Sequence, residues 1–281
     1  MYENHPNCLE PEPDNKLWRY MSFSKFVSLL DTKSLFFAEP SALGDKFEGS
    51  YPKNNNQIKM RPLTKEEFEN NNYQYNDNYE EYLKNYNLNK QFMHNSFNIC
   101  CFHLNEHESF AFWKIYSSED YGIAIQTTFE NLKKSLAVCE DKNVSCGKII
   151  YLDYSDKSND IIDPSNVYAP YLCKRKCFEY ENECRAIFWD LPHYVDIIEK
   201  NEDNKNLKDP ICISINSEEK NKMLEKNNGI YIPVDLNSLI SNVYCSPDSP
   251  KWFVDLVKSI IKKYNFIFNV IKSSLDDEPN F

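Results

Sequence analysis

The segment Phe178-Glu179-Tyr180-Glu181-Asn182-Glu183-Cys184-Arg185 concentrates residue types that chemistry often needs. Read as an extended chain, its period of two puts Glu179, Glu181, Glu183 and Arg185 on one face, with adjacent same-face positions about 7 Å apart. Carboxylates held that close repel one another. One of them is therefore expected to have a raised pKa, while Arg185 can fix another by bidentate pairing. Such an arrangement could serve catalysis; a solvent-facing edge strand with a cross-strand ion pair carries the same residues and is the plainer reading of this segment alone.

Further candidates lie elsewhere in the chain. Arg19 sits between Trp18 and Tyr20, where its five donors could hold a phosphate or a ribose hydroxyl, or simply stack on a neighbouring ring. Asp45 and Glu48 share a loop with Gly44 and Gly49 and could ligate a cation or cap the loop. Trp113 and Tyr116 are three apart and so share a helix face, where they could stack a planar ligand or pack in the core. Cys101-x-His103-x3-His107 has part of a zinc spacing, but a closed site needs four ligands and the fourth is not evident. Cys101 and His103 as a nucleophile and base would share a strand face about 7 Å apart, beyond direct hydrogen-bond reach.

The elements that must position these residues follow from periodicity. Strands are expected at 17–20, 34–38, 97–102, 121–127, 148–154, 178–189, 211–215, 230–234, 243–245 and 266–271. Ser22 and Ser24 can cap a helix through Phe26, Leu29 and Leu30, and a helix runs through Phe129, Leu132 and Leu136. Further helices are expected at 109–116 and 167–177, with a charged loop or short helix at 196–210. After Ser249-Pro250, Trp252, Phe253, Leu256, Val257, Ile260 and Ile261 form one apolar helix face. The stretch 52–95 reads as a helical insertion opened by the capping box Thr64-Lys65-Glu66-Glu67.

Strands and helices intermix without regular βαβ alternation. The fold class is therefore α+β, with a mixed, mostly antiparallel split or two-sheet core, peripheral helices and the helical insertion. Residues 1–16 form a polar N-terminal segment, and 17–281 one domain. No GxGxxG, Walker loop, GxSxG or HExxH occurs, which removes the usual handles for dinucleotide folds, P-loop NTPases, α/β-hydrolases and zincins.

A chain of 281 residues, 41% hydrophobic and 15% aromatic, can bury a sizeable core. Its mean hydropathy of −0.65 and the lack of a long apolar run argue against a membrane span. The first residues have neither the basic start nor the apolar stretch of a signal peptide, so a cytoplasmic location is expected. The 10 cysteines contain no CxxC pair and read as reduced, mostly buried small residues. A net charge of −11 opposes general attraction to phosphate backbones. Lys174-Arg175-Lys176 and Lys262-Lys263 are the short basic runs, each read as a solvated helix face.

Taken in order, several pieces resemble the bacterial family known as Domain of Unknown Function 2971. They are Leu17-Trp18-Arg19-Tyr20, Leu35-Phe36-Phe37-Ala38-Glu39-Pro40 leading into Gly44-Asp45-Lys46-Phe47-Glu48, and Cys101-Phe102. Phe112-Trp113-Lys114-Ile115-Tyr116, Tyr121-Gly122-Ile123-Ala124-Ile125 and Tyr180-Glu181-Asn182-Glu183-Cys184-Arg185 continue the series. The chain departs from the family at Gly44 and Lys46, where Asn-Asp-Pro-Phe is usual, and at Ile115, where a His is often found.

The order of Arg19, the Trp113/Tyr116 pair and Glu181-x-Glu183 also resembles ADP-ribosyltransferase-like enzymes. That resemblance implies NAD+ as substrate, Glu183 as the catalytic carboxylate and Glu181 as the residue orienting the acceptor. It implies Arg19 as the dinucleotide anchor and Trp113 or Tyr116 as the stacking wall, with Tyr20 and Arg185 around the cofactor. The expected function is NAD+-using ADP-ribosyl transfer or NAD+ hydrolysis, in a toxin or antiviral effector acting on a protein or nucleic acid and held by a regulatory protein partner. A metal-dependent nuclease using Asp45, Glu48, Glu181 and Glu183, and a non-catalytic sensor or interaction module, stand as alternatives.

Overall fold

In strand β1 (Lys16–Ser22), alternation sends Leu17 and Met21 to one core and Trp18 and Tyr20 to another. Helix α1 (Phe23–Thr32) follows at once, because Ser22 accepts the Lys25 N–H as its N-cap and Phe26, Leu29 and Leu30 form a buried stripe. Strand β2 (Ser34–Ala38) completes this unit. The computed structural model describes residues 1–52, 62–70, 78–116, 121–155, 162–163, 166–190, 228–275 and 277.

Helices α2 (Lys65–Asn70) and α3 (Tyr79–Asn95) lie in the 52–95 stretch. The capping box forms in both directions: Glu67 N–H donates to Thr64 Oγ1 at 3.2 Å and Thr64 N–H to Glu67 Oε2 at 2.9 Å. Phe68, Tyr82 and Leu63 make a small cluster of their own. Strand β3 (Phe97–Leu104), helix α4 (Phe110–Tyr116), strand β4 (Gly122–Thr128) and helix α5 (Phe129–Ser135) follow. Next come β5 (Val144–Lys148), β6 (Ile150–Leu152), α6 (Ala169–Leu172), β7 (Cys173–Arg175) and β8 (Glu183–Trp189). The chain closes with β9 (Gly229–Pro233), α7 (Leu236–Leu239), β10 (Asn242–Cys245), α8 (Lys251–Lys263) and β11 (Asn269–Lys272).

The large sheet runs β11-β10-β4-β1-β3-β2-β9, with β8 pairing β3 and β5 pairing β8. Its pairings are antiparallel except β10 with β11; a small separate sheet pairs β6 and β7 in parallel. The fold is α+β with a mixed, mostly antiparallel sheet, in line with the sequence pattern.

Strand β3 is where this sheet forks. Along one edge it pairs β8 from Phe97↔Trp189 to His103↔Glu183. Its remaining pairings are divided: β1 meets it at Leu104 and His103, and β2 meets it at Ile99. β1 and β2 therefore diverge over the middle of β3, and the split between them opens a cleft.

Several sequence expectations need correction. The helix expected at 167–177 is only one turn, α6, because Cys173–Arg175 leaves it to pair with β6. The strand expected at 178–189 begins at Glu183, since Lys176–Glu181 coils as a 3-10 helix and Asn182 takes a left-handed conformation with φ 37°. Helix α8 buries Phe253, Val257 and Ile261, whereas Trp252 and Leu256 are exposed. Lys16 already belongs to β1, and the segment before it runs beside the sheet, where Met1 O and Glu3 N–H bond the backbone of Val144. The pieces expected at 196–210 and 211–215 lie outside the described residues. Among the described residues, no helix is long and apolar enough to cross a membrane.

Candidate active site

The cleft at the split has a volume of about 550 Å³, within the range of small-molecule sites. Arg19, Tyr20, Tyr116, Glu181, Glu183 and Arg185 all border it. Phe112, Cys101, His103 and Lys174 complete the wall nearest the carboxylates.

Arg19 spans the fork. By alternation it leaves β1 on the side of Leu17 and Met21, opposite Tyr20. Its guanidinium donates from Nη1 to Cys101 O at 2.9 Å and from Nη2 to Phe36 O at 3.3 Å, and lies over the Phe102 ring at 5.7 Å. The two carbonyls belong to β3 and β2, at the level where a continuous sheet would supply strand-to-strand hydrogen bonds. The guanidinium thus takes over part of the ladder's work while presenting positive charge to the cleft.

The opposite wall comes from β3 and β8, whose register sets Cys101 across from Arg185 and His103 across from Glu183. Arg185 is fully buried, and its guanidinium donates four hydrogen bonds, with a further ion-pair contact from Nη2 to Glu183. Nε and Nη2 reach Glu183 Oε2 at 3.1 and 2.9 Å. Nη1 and Nη2 grip Glu48 at 2.5 and 2.9 Å, and Nη1 also donates to Tyr171 O at 2.7 Å. Arg185 therefore fixes Glu183 in place, and its hydrogen bonds are already committed within the protein.

Glu48 arrives through the Gly44–Gly49 loop. Gly49 has φ +69°, and a Cβ there would come within 2.7 Å of the Tyr171 ring and 2.8 Å of His94 Nδ1. Only glycine lets the chain turn so tightly behind Glu48. Asp45 in the same loop pairs with Arg175, Oδ1 to Nη2 at 2.7 Å. Both loop carboxylates are thus ion-pair partners of arginines.

Lys174 is buried, hydrogen-bonds Glu181 and stands 3.6 Å from Glu183 Oε2. The basic run 174–176 is therefore not a solvated helix face: Lys174 and Arg175 turn inward to carboxylates, and Lys176 is exposed. Burial alone would raise the Glu183 carboxyl, but the charges of Arg185 and Lys174 outweigh it and hold the pKa below its ordinary value. For Glu181 burial wins, with Glu183 adding to it against the pull of Lys174, and the carboxyl is raised. One carboxyl is raised and another is paired with Arg185, although Glu179 lies exposed on the 3-10 helix and has no part in the pair.

The aromatic wall differs from the expected one. Trp113 is 2% exposed, donates Nε1–H to Glu108 at 2.9 Å and packs with Trp18, Tyr20, Phe112 and Ala124, behind the cleft lining. Phe112 and Tyr116 face the cleft instead, with ring centroids 5.8 Å apart. Burial of the Tyr116 hydroxyl, then the nearby Cys101, Glu181 and Glu183, push its pKa up to about 12, with Arg19 pulling the other way. Tyr20 stacks toward Tyr116 at 6.4 Å, and its hydroxyl accepts the Ser109 N–H at 2.7 Å.

Sequence spacing does not mark Lys174, His103 or Phe112 for this cleft: Lys174 sits inside a basic run, and the spacing of His103 suggests only a metal ligand or a base for Cys101. Burial, followed by the charge of Glu183, raises the Cys101 thiol well above its usual value, so it is no ready thiolate. Among the described residues, no group of three or more His, Cys, Asp or Glu is arranged to hold a metal ion. Compared with family models, curated proteins and solved structures, the chain finds no match.

Proposed function

We propose that this protein is an NAD+-using ADP-ribosyltransferase or NAD+ glycohydrolase whose substrate lies in the split between β1 and β2. The observation that carries this reading is the meeting of Arg19, Tyr116 and the Glu181/Glu183 pair around one cleft. Glu181 and Glu183 stand together on one wall of the cleft, beside Lys174 and Arg185, while Arg19 borders it from β1. The two carboxylates suit the positive charge on the nicotinamide ribose that follows loss of the ring, and Arg19 suits the anionic part of the same molecule.

In this reaction the bond between the ribose anomeric carbon and the nicotinamide nitrogen breaks. Nicotinamide leaves as a neutral molecule with the bonding electrons, and the ribose carries oxocarbenium charge until a nucleophile adds. Glu183, held ionised by Arg185 and Lys174, is prepared to stabilise that charge. Glu181, with its raised pKa, can orient the incoming hydroxyl or water and take its proton. Phe112 and Tyr116 supply ring surface, and Arg19 a counter-charge for the diphosphate.

A toxin or antiviral effector acting on a protein or nucleic acid, under the control of a regulatory protein, belongs to the same proposal and derives from the family resemblance. A metal-dependent nuclease finds less support, because Asp45 and Glu48 are bound to arginines. The deciding assay incubates purified protein with NAD+ and cell lysate and follows nicotinamide release and labelled ADP-ribose. The expected result is turnover that Glu183→Gln lowers by about 100-fold or more. Absence of both products from the wild-type protein would overturn the proposal.

A further inference from the structure

His103 is 6% exposed and borders the cleft, and its Nε2 is a buried nitrogen without a hydrogen-bond partner among the described residues. The other ring nitrogen settles what Nε2 must be. Nδ1 lies 2.6 Å from Glu181 O, and a carbonyl can only accept, so Nδ1 carries the proton. In the neutral ring Nε2 is then a bare acceptor. Phe112 stacks on the imidazole at 4.3 Å and 24°, fixing its plane, while the cross-strand register sets His103 beside Glu183. A buried acceptor left unpaired is costly, so a donor brought to this position gains a hydrogen bond that the protein itself does not supply.

We infer that His103 is a ligand-recognising residue, whose Nε2 accepts a hydrogen bond from a neutral hydroxyl or amide N–H of the molecule bound in the cleft. An acceptor here repels phosphate and carboxylate oxygens. It therefore orients the ligand, with the reacting end, which carries no anionic oxygen, at His103 and Glu183 and the anionic part toward Arg19. This inference rests on the nucleotide reading for the ligand's identity: in NAD+ the donor is the carboxamide N–H or a hydroxyl of the nicotinamide-side ribose. Glu181 acquires a second task, since its backbone carbonyl sets the tautomer while its side chain pairs with Lys174.

The tautomer is read first, in the ligand-free protein, from the nitrogen NMR spectrum of histidine-labelled material at neutral pH. The expected result is a protonated Nδ1 and a bare Nε2 for His103; a proton on Nε2 overturns the inference. Calorimetry then compares NAD+ with two analogues. One is the acetylpyridine dinucleotide, which lacks the amide N–H, and the other lacks the 2′-hydroxyl of the nicotinamide-side ribose. The wild type is expected to bind one analogue about tenfold more weakly than NAD+, and which one identifies the donor. In His103→Phe, NAD+ binding falls about tenfold and that analogue carries no further penalty; His103→Gln, with an amide oxygen as acceptor, recovers part of the loss. Equal analogue penalties in wild type and variant overturn the inference. Should His103→Phe fail to fold, the same comparison is made with His103→Gln, where a reduced penalty supports the inference and an unchanged one overturns it. If the wild type binds no NAD+, the nucleotide reading falls. His103 is then judged on the tautomer and on whether nicotinamide or ribose shifts its Nε2 resonance; no shift with either overturns the inference.

Discussion

Arg19 donates from Nη1 to the carbonyl of Cys101 at 2.9 Å, across the gap where β1 and β2 part. The same guanidinium reaches Phe36 O on β2, so one side chain ties the fork together and charges the cleft inside it. Structural and binding roles therefore coincide in this residue. A single substitution cannot separate them, but a graded series can.

Arg19→Met leaves the Cys101 and Phe36 carbonyls without this donor, and stability is expected to fall by about 1–3 kcal/mol. Arg19→Lys keeps the charge but loses the planar fork that reaches two carbonyls. Its stability loss should approach that of Met, while more of the NAD+ affinity survives. Denaturant unfolding and calorimetry on the same preparations test this, and equal affinities for Met and Lys would refute a charge contribution from Arg19.

The buried cluster predicts a strong dependence on its own completeness. Glu48→Gln breaks one side of the Arg185 clamp and should destabilise by about 3–5 kcal/mol, because it leaves a buried guanidinium with one anionic partner fewer. Arg185→Met should cost a similar amount, taking from Glu48 its arginine partner and leaving Glu183 to Lys174. The double variant Glu48→Met/Arg185→Met is expected to be more stable than the sum of the singles implies. Strict additivity in urea melts would show that the clamp is not a coupled unit.

Trp113 and Tyr116 should separate stability from binding. Trp113→Ala empties a core position and is expected to cost about 3–5 kcal/mol. Tyr116 is 47% exposed at the cleft, so Tyr116→Ala should leave the unfolding midpoint nearly unchanged and weaken NAD+ binding. A binding loss in the milder Trp113→Phe, at unchanged stability, would restore Trp113 to the site.

Much of the fold was legible because it rests on local signals. The strands around Arg19, His103 and Ile125 and helices α1, α4 and α5 follow from alternation, caps and apolar stripes. The site was legible in part. Glu183 and Arg185 stand two apart on a real strand, as the period of two requires. Asn182 broke that period: its left-handed turn, fastened by hydrogen bonds with Leu104, separates Glu181 from the strand and aims it at Lys174. Nothing in the run Lys174-Arg175-Lys176 marks which lysine is buried, since that depends on carboxylates brought in by other elements. The choice between Trp113 and Phe112 likewise turned on the roll of a short helix, which spacing alone leaves open.

The pH dependence of stability begins with two histidines whose pKa values are depressed. Burial keeps the His103 pKa below its usual 6.5, against smaller opposing effects from Glu181 O and Glu183. His94, depressed first by burial and then by Lys90, acts in the same direction. Between the unfolded and folded values the unfolded chain binds the extra proton, so stability is present above about pH 6.5 and drains away as pH falls. Each group contributes a slope of at most about 1.4 kcal/mol per pH unit. Glu183, depressed by Arg185 and Lys174 despite its burial, adds a second loss below about pH 4.5; Glu181, raised by burial, works in the opposite sense. Urea melts from pH 8 downward should therefore fall first near pH 6.5, and His103→Gln should flatten that first descent while leaving the acid one in place. An unchanged first descent in the variant would mean that His103 does not titrate with folding.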